Sequence, residues 1–152
     1  MQLLRKAWDF GATKEEMVEL WKVYCLSVLD QSCFLWGSGL TSENKTDLER
    51  TQKTFAKLVV QEEYRSYNES LVNLGLQNLE DRRKSLTLGF AKRSLADGHF
   101  SDLFKKRKPS ETMKTRNRDY YEVTHANTER FKNSPIITMQ RLINEGRKQW
   151  CQ

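Results

Sequence analysis

TKEEMVELWKVYCLSVLDQSCFLW, residues 13–36, decides how the rest of the chain is read. Thr13 followed by Glu16 is a capping box, in which hydroxyl and carboxylate each take up a backbone N–H that the first helical turn leaves free. Downstream, Met17, Leu20, Trp21, Tyr24, Val28 and Leu35 recur at i, i+3, i+4 spacing, the pattern of a helix with one buried face. Cys25, Leu26, Leu29, Cys33, Phe34 and Trp36 place apolar groups on the other faces. The spacing therefore predicts one long helix whose second half is enclosed by other elements. Lys22 and Asp30 interrupt it with charge, and it lacks the ~20 apolar residues of a membrane span. At roughly 1.5–3 kcal/mol per large buried side chain, this segment supplies much of the driving force of a small domain.

Toward the N-terminus, Leu3, Leu4, Ala7 and Trp8 have helical spacing but no cap, and Gly11 supplies a left-handed stop. Residues 1–8 read as the end of a longer helix whose upstream part is lost, or as a short helix in its own right. Toward the C-terminus, Gly37 and Gly39 break the pattern, and Thr41, Ser42 and Glu43 start a second helix running to Val60. Leu48, Phe55 and Val59 share one of its faces; Arg50, Lys53 and Lys57 share the other. Such a basic stripe is spaced to follow a phosphate backbone, although an ordinary solvated face has the same composition. Ser66 with Glu69 opens a short helix ending at Gly75. Asn78 caps a further helix with Leu79, Leu86, Phe90 and Leu95 on its apolar stripe, ended by Asp97 and Gly98. Arg82, Arg83, Lys84, Lys92 and Arg93 add positive charge to it, while Glu80 and Asp81 suit its dipole.

Past Gly98 large apolar residues thin out. Phe100, Leu103 and Phe104 can pack as one turn, and Tyr120, Tyr121 and Val123 can form a short extended piece. Lys105, Lys106, Arg107 and Lys108 form a basic run before Pro109 that fits a phosphate contact, a nuclear localisation signal or a solubilising linker. Ser134 and Pro135 cap a last helix, with proline at the first helical position. The expected fold is all-α: a small bundle around a central buried helix, with residues 1–97 as the helical domain. Residues 98–134 are expected as a basic, flexible tail and 135–145 as a short C-terminal helix.

The net charge of the 152 residues is +6. Basic and acidic residues balance up to Asp97, and from Gly98 onward basic residues outnumber acidic ones two to one. A balanced part followed by a basic extension favours a polyanionic partner. The three cysteines, Cys25, Cys33 and Cys151, are odd in number, and the first two lie about 12 Å apart along one helix, too far for a bridge. Together with the absence of a signal-peptide core at the N-terminus, this points to an intracellular protein of the nucleus or cytoplasm.

No catalytic constellation emerges. His99 and His125 are far apart, and no Cys-x-x-Cys or His-x-x-x-His occurs, so no zinc site is expected. The glycines form neither a phosphate loop nor a dinucleotide fingerprint. Ser38, Cys25 and Cys33 lack a positioned base, and the paired carboxylates sit beside caps or in loops.

Several stretches together resemble one family. WDFGATKEEMVELWKVYCLSVLDQS at residues 8–32, Leu35-Trp36, Leu40-Thr41 and DLERTQK at residues 47–53 resemble the region after the polymerase palm in reverse transcriptases of jockey-like non-LTR retrotransposons. YRSY at 64–67, LGL at 74–76, LEDRR at 79–83, FAK at 90–92 and TERFKNSP at 128–135 are similar to later landmarks of the same region, in the same order. The resemblance covers nearly the whole chain. It departs at Gly37, where relatives often carry histidine, and at Gly89, which interrupts a helix. It implies a helical thumb that holds template RNA and DNA primer, with RNA–DNA hybrid and the upstream palm as partners and no membrane. It also implies no catalysis by this chain, because the Tyr-x-Asp-Asp box, its magnesium ions and the endonuclease lie elsewhere. From the basic stripe and the charge runs, the expected nucleic-acid contacts are Arg50, Lys53, Lys57, Arg82, Arg83, Lys105, Lys106, Arg107 and Lys108. The alternative is a helical protein-interaction module, or a structural remnant that binds no nucleic acid.

Overall fold

The helices begin where a small polar side chain can take up a free amide. In a computed structural model of the chain, which describes residues 1–98, 100–107 and 121–148, Thr13 and Glu16 form the reciprocal capping box, at 3.3 and 2.8 Å. Thr41, Ser66, Asn78 and Thr128 each accept an N–H three residues on, at 2.7–3.2 Å. These caps set the starts of five helices, and packing decides the rest. The order is α1 Gln2–Asp9, α2 Lys14–Leu20, a π-helical turn Trp21–Leu26, α3 Ser27–Asp30, α4 Cys33–Trp36, α5 Ser42–Val60, α6 Tyr67–Asn73, α7 Leu79–Asp97, α8 Glu129–Lys132 and α9 Pro135–Lys148. Gly11 and Gly75 close α1 and α6 at φ of +89° and +61°, a conformation without cost only for glycine. Among the described residues no strand forms, and a single antiparallel bridge joins Lys106 to Tyr121. The fold is all-α.

Residues 13–36 are not one helix. The π turn inserts one extra residue after Leu20, and Ser32, at φ +52°, breaks the helix again. The insertion moves the buried stripe by one position. Met17 and Trp21 are buried as expected, but Tyr24, Val28 and Leu35 are exposed. Cys25, Leu26 and Leu29 face the core instead. The second half is therefore only partly enclosed.

The chain divides into two units, Met1–Cys33 with Leu40–Arg83, and Phe34–Gly39 with Lys84–Gln152. This division differs from a domain ending at residue 97: α7 starts in the first unit and continues in the second. In the first unit Trp21 lies flat on Phe55, ring centroids 4.5 Å apart, amid Leu4, Met17, Leu26, Val59 and Leu79. Polar ties lock the turn before α7. Gln52 Nε2 donates to the Gln77 carbonyl at 2.7 Å, and Glu49 accepts from the Leu79 amide at 3.2 Å and from the Tyr67 hydroxyl.

In the second unit Phe34 stacks on Phe90 at 3.8 Å, and Ala91, Phe104, Tyr121, Met139 and Ile143 form the core. α7 was expected to bury Leu86, Phe90 and Leu95; these are half-buried, and Arg83, Thr87, Ala91 and Ser94 are the deeper positions. The tail expected to be flexible is in part packed. Residues 121–124 are gripped by α9: Asn144 accepts from the Tyr121 amide and donates to its carbonyl, both at 3.0 Å. Gln140 accepts from the Thr124 amide at 2.9 Å and donates to the Leu103 carbonyl at 2.7 Å. α9 also runs past the expected end at 145. His99, Tyr120 and residues 108–119 lie outside the described residues.

Candidate nucleic-acid interface

α5 is an amphipathic helix with a definite inner side. Gln52, Phe55, Ala56, Val59 and Val60 are buried, while Arg50, Lys53 and Lys57 stand exposed at i, i+3, i+7 spacing. Along the axis the outer two are about 10 Å apart, a span of two to three phosphates along a strand. Thr46, Thr51 and Thr54 turn their hydroxyls back onto carbonyls four residues earlier, at 2.9–3.1 Å, which leaves the helix surface to longer side chains. Arg50 pairs with Asp47 at 3.1 Å, both largely in solvent. Such a pair is weak and a phosphate competes with it readily. Lys57 Nζ lies 5.4 Å from the centroid of the Tyr64 ring, a cation–π contact that keeps the ammonium beside an aromatic face.

Arg82 and Arg83, expected as contacts, are engaged in the fold. Arg82 makes a fork to the Asp30 carboxylate, at 3.0 Å from Nε to each oxygen and 2.6 Å from Nη2. That hydrogen bond to Asp30 raises the guanidinium pKa further, against its partial burial. Arg83 is 8% exposed and lies on the wall of a pocket with Lys45, Glu49 and Asp81. A phosphate at Arg82 would first have to displace Asp30.

Lys105, Lys106 and Arg107 are exposed, and their backbone is tied rather than loose: the Glu122 amide donates to the Lys105 carbonyl at 2.8 Å beside the Lys106–Tyr121 bridge. Lys108 lies outside the described residues. This run belongs to the second unit and the α5 stripe to the first.

Among the described residues no three His, Cys, Asp or Glu side chains stand together as a metal site, and no helix is long and apolar enough to cross a membrane. Burial pushes the Cys25 and Cys33 thiols up, and at Cys33 the Asp30 carboxylate adds to the effect, so both favour the protonated, unreactive form. A cleft of about 460 Å³ in the first unit is rimmed by Lys14, Glu19, Lys22 and Glu63, with Val18 and Leu74 inside it. The Lys14–Glu63 pair at 2.9 Å lies on that rim and holds the Glu63 carboxyl below its ordinary pKa. Another, of about 400 Å³, in the second unit is lined by Leu103, Lys105, Thr124, His125, Ile136 and Gln140 among others.

Sequence reasoning missed Asp30, Glu49, Gln140 and Asn144. For Asp30 and Gln140 a signal was present, since each is a polar residue beside apolar positions of a helix, where burial demands a partner; Glu49 and Asn144 sit among polar neighbours and carried none. The partners, main-chain groups and Arg82, are distant in sequence and carry no local mark. Compared with protein-family models, with curated proteins and with solved structures, the chain matches none.

Proposed function

We propose that this chain is a non-catalytic, nucleic-acid-binding helical piece equivalent to the thumb and post-palm region of a non-LTR retrotransposon reverse transcriptase. The observation that carries this reading is the exposed stripe of Arg50, Lys53 and Lys57 on α5, whose other side is buried. The order of motifs along the sequence supports it. In this reading α5 holds the backbone of an RNA–DNA hybrid in nucleus or cytoplasm, and Lys105, Lys106 and Arg107 add a weaker electrostatic attraction. Catalysis, with its magnesium ions, belongs to a separate palm.

The test is binding of the chain to an RNA–DNA hybrid and to duplex DNA at two salt concentrations. Binding that prefers the hybrid and falls steeply with salt is expected. Replacing Arg50, Lys53 and Lys57 together with alanine should flatten the slope of log K against log salt by roughly 0.7–0.9 per lost contact, with the helical spectrum unchanged. An unchanged slope overturns the assignment.

A second reading, a protein-interaction module, is favoured by a different observation. Phe10, just past the end of α1, is 90% exposed, and Leu3 within α1 is 63% exposed while its neighbour Leu4 is buried. Large apolar groups in solvent mark a contact surface. Self-association that Leu3→Ser and Phe10→Ser abolish, in a chain that binds neither nucleic acid, is the outcome that selects it.

A further inference from the structure

The main chain takes on an extra residue after Leu20. Through the turn Trp21–Leu26 the hydrogen bonds span five residues, and the Ser27 N–H reaches the Lys22 carbonyl rather than that of Val23. The Val23 carbonyl keeps a partner, because the Ser27 hydroxyl donates to it. Ser27 therefore serves two consecutive carbonyls and holds the turn open. One inserted residue rotates everything after it by about 100° relative to a regular helix. That rotation sets Cys25, Leu26 and Leu29 against the core and leaves Tyr24 and Val28 58% and 67% exposed.

Tyr24 and Val28 nevertheless continue the Met17 and Trp21 stripe at ordinary α-helical spacing. The segment thus carries two apolar stripes one residue apart, and only one can face the core at a time. A second contact fixes the choice. Asp30 meets Arg82 only in the inserted register; without the insertion Leu29 takes its angular position and the fork to Arg82 opens.

We propose that residues 21–30 form a two-register helix. One state is the π turn, held by Ser27 and the Asp30–Arg82 pair. The other is a continuous α-helix in which Tyr24, Cys25 and Val28 take the places of Cys25, Leu26 and Leu29 against the core and Arg82 is released. Both states satisfy the Val23 carbonyl, and the inserted one is the major state because it keeps Leu26 buried and the Asp30–Arg82 pair closed. Helix register shifts of this kind take microseconds to milliseconds.

Nitrogen-15 relaxation dispersion on the whole chain reads that window. Exchange is expected at residues 21–30 and at Arg82. Ser27→Ala, on the surface, and Asp30→Asn should each raise the minor population by roughly two- to fivefold, the effect of removing one half-exposed contact. Val28→Lys puts a charge where the present register is open to solvent and the other is buried, and should quench the exchange without lowering the melting temperature. Absence of dispersion at 21–30 in both the native chain and Ser27→Ala overturns the proposal, as does dispersion that Val28→Lys leaves unchanged.

Discussion

In the first unit Trp21 lies on Phe55 with Met17, Val59 and Leu79 around them, whereas in the second Gln140 and Asn144 reach from α9 to hold the backbone of residues 121–124. The first interior is carried mainly by the apolar stack around Trp21, while the second, besides its own Phe34–Phe90 stack, closes a segment by satisfying main-chain groups from α9. The energies behave differently. Apolar burial scales with area and is forgiving of small shifts, while an amide that loses its partner in a buried place costs its full desolvation. The first unit should therefore respond to changes of volume, and the second to changes of hydrogen-bonding capacity.

Phe55→Ala is the sharpest test of that contrast. It removes a fully buried ring from beneath Trp21 and should cost about 3–5 kcal/mol, read as a shift of the urea midpoint with an unchanged slope. A loss below about 1 kcal/mol would mean that the first core collapses around the gap and depends little on the stack. Gln140→Ala comes next. It strands the Thr124 amide and the Leu103 carbonyl and should cost about 1–3 kcal/mol, with faster hydrogen exchange at Thr124 as the local signature. Protection at Thr124 that survives the change would show that the bridge at Lys106 and Tyr121, rather than α9, holds the segment.

The smallest effect tests a polar tie inside the apolar unit. Burial, and after it the hydrogen bond to Glu49, raises the Tyr67 pKa well above its ordinary value of 10.0. The folded state thus prefers the neutral phenol. Its contribution is fully present below pH 10 and is lost as pH rises through that value toward the folded pKa. Tyr67→Phe should lower stability at neutral pH by about 0.5–1.5 kcal/mol and make the alkaline limb of the pH–stability curve shallower. An alkaline limb identical in the two proteins would assign the loss to other groups.

The difference between the units also explains what could be read in advance. Helix starts were legible because Thr13, Thr41, Ser66 and Asn78 cap their own neighbours, a local event written in adjacent letters. The inner face of α5 was legible for the same reason, through Phe55 and Val59 at regular spacing. The π turn was not, since Tyr24 and Val28 fit a regular helix as well as Cys25 and Leu29 fit the inserted one. Choosing between them takes Arg82, more than fifty residues away. In the second unit, residues 121–124 looked like loose tail because their stability resides in the side chains of α9. Of the expected contacts, the α5 stripe lay on a face that periodicity defines. The burial of Arg83 depended on packing that charge alone does not reveal.

The grip of α9 on residues 121–124 has an evolutionary corollary. Asn144 and Gln140 hold peptide N–H and C=O groups, which every non-proline residue possesses, and only the Thr124 hydroxyl is touched as a side chain. Glu122 and Val123 can be exchanged freely without altering an atom that is held. The spelling of Glu122 and Val123 is thus nearly neutral to drift, whereas Tyr121 is held through its ring, which packs edge-on against Phe104 in the core. The constraint has moved onto two amides four residues apart on a helix, and a distant relation that keeps the docking need share little more than that pair.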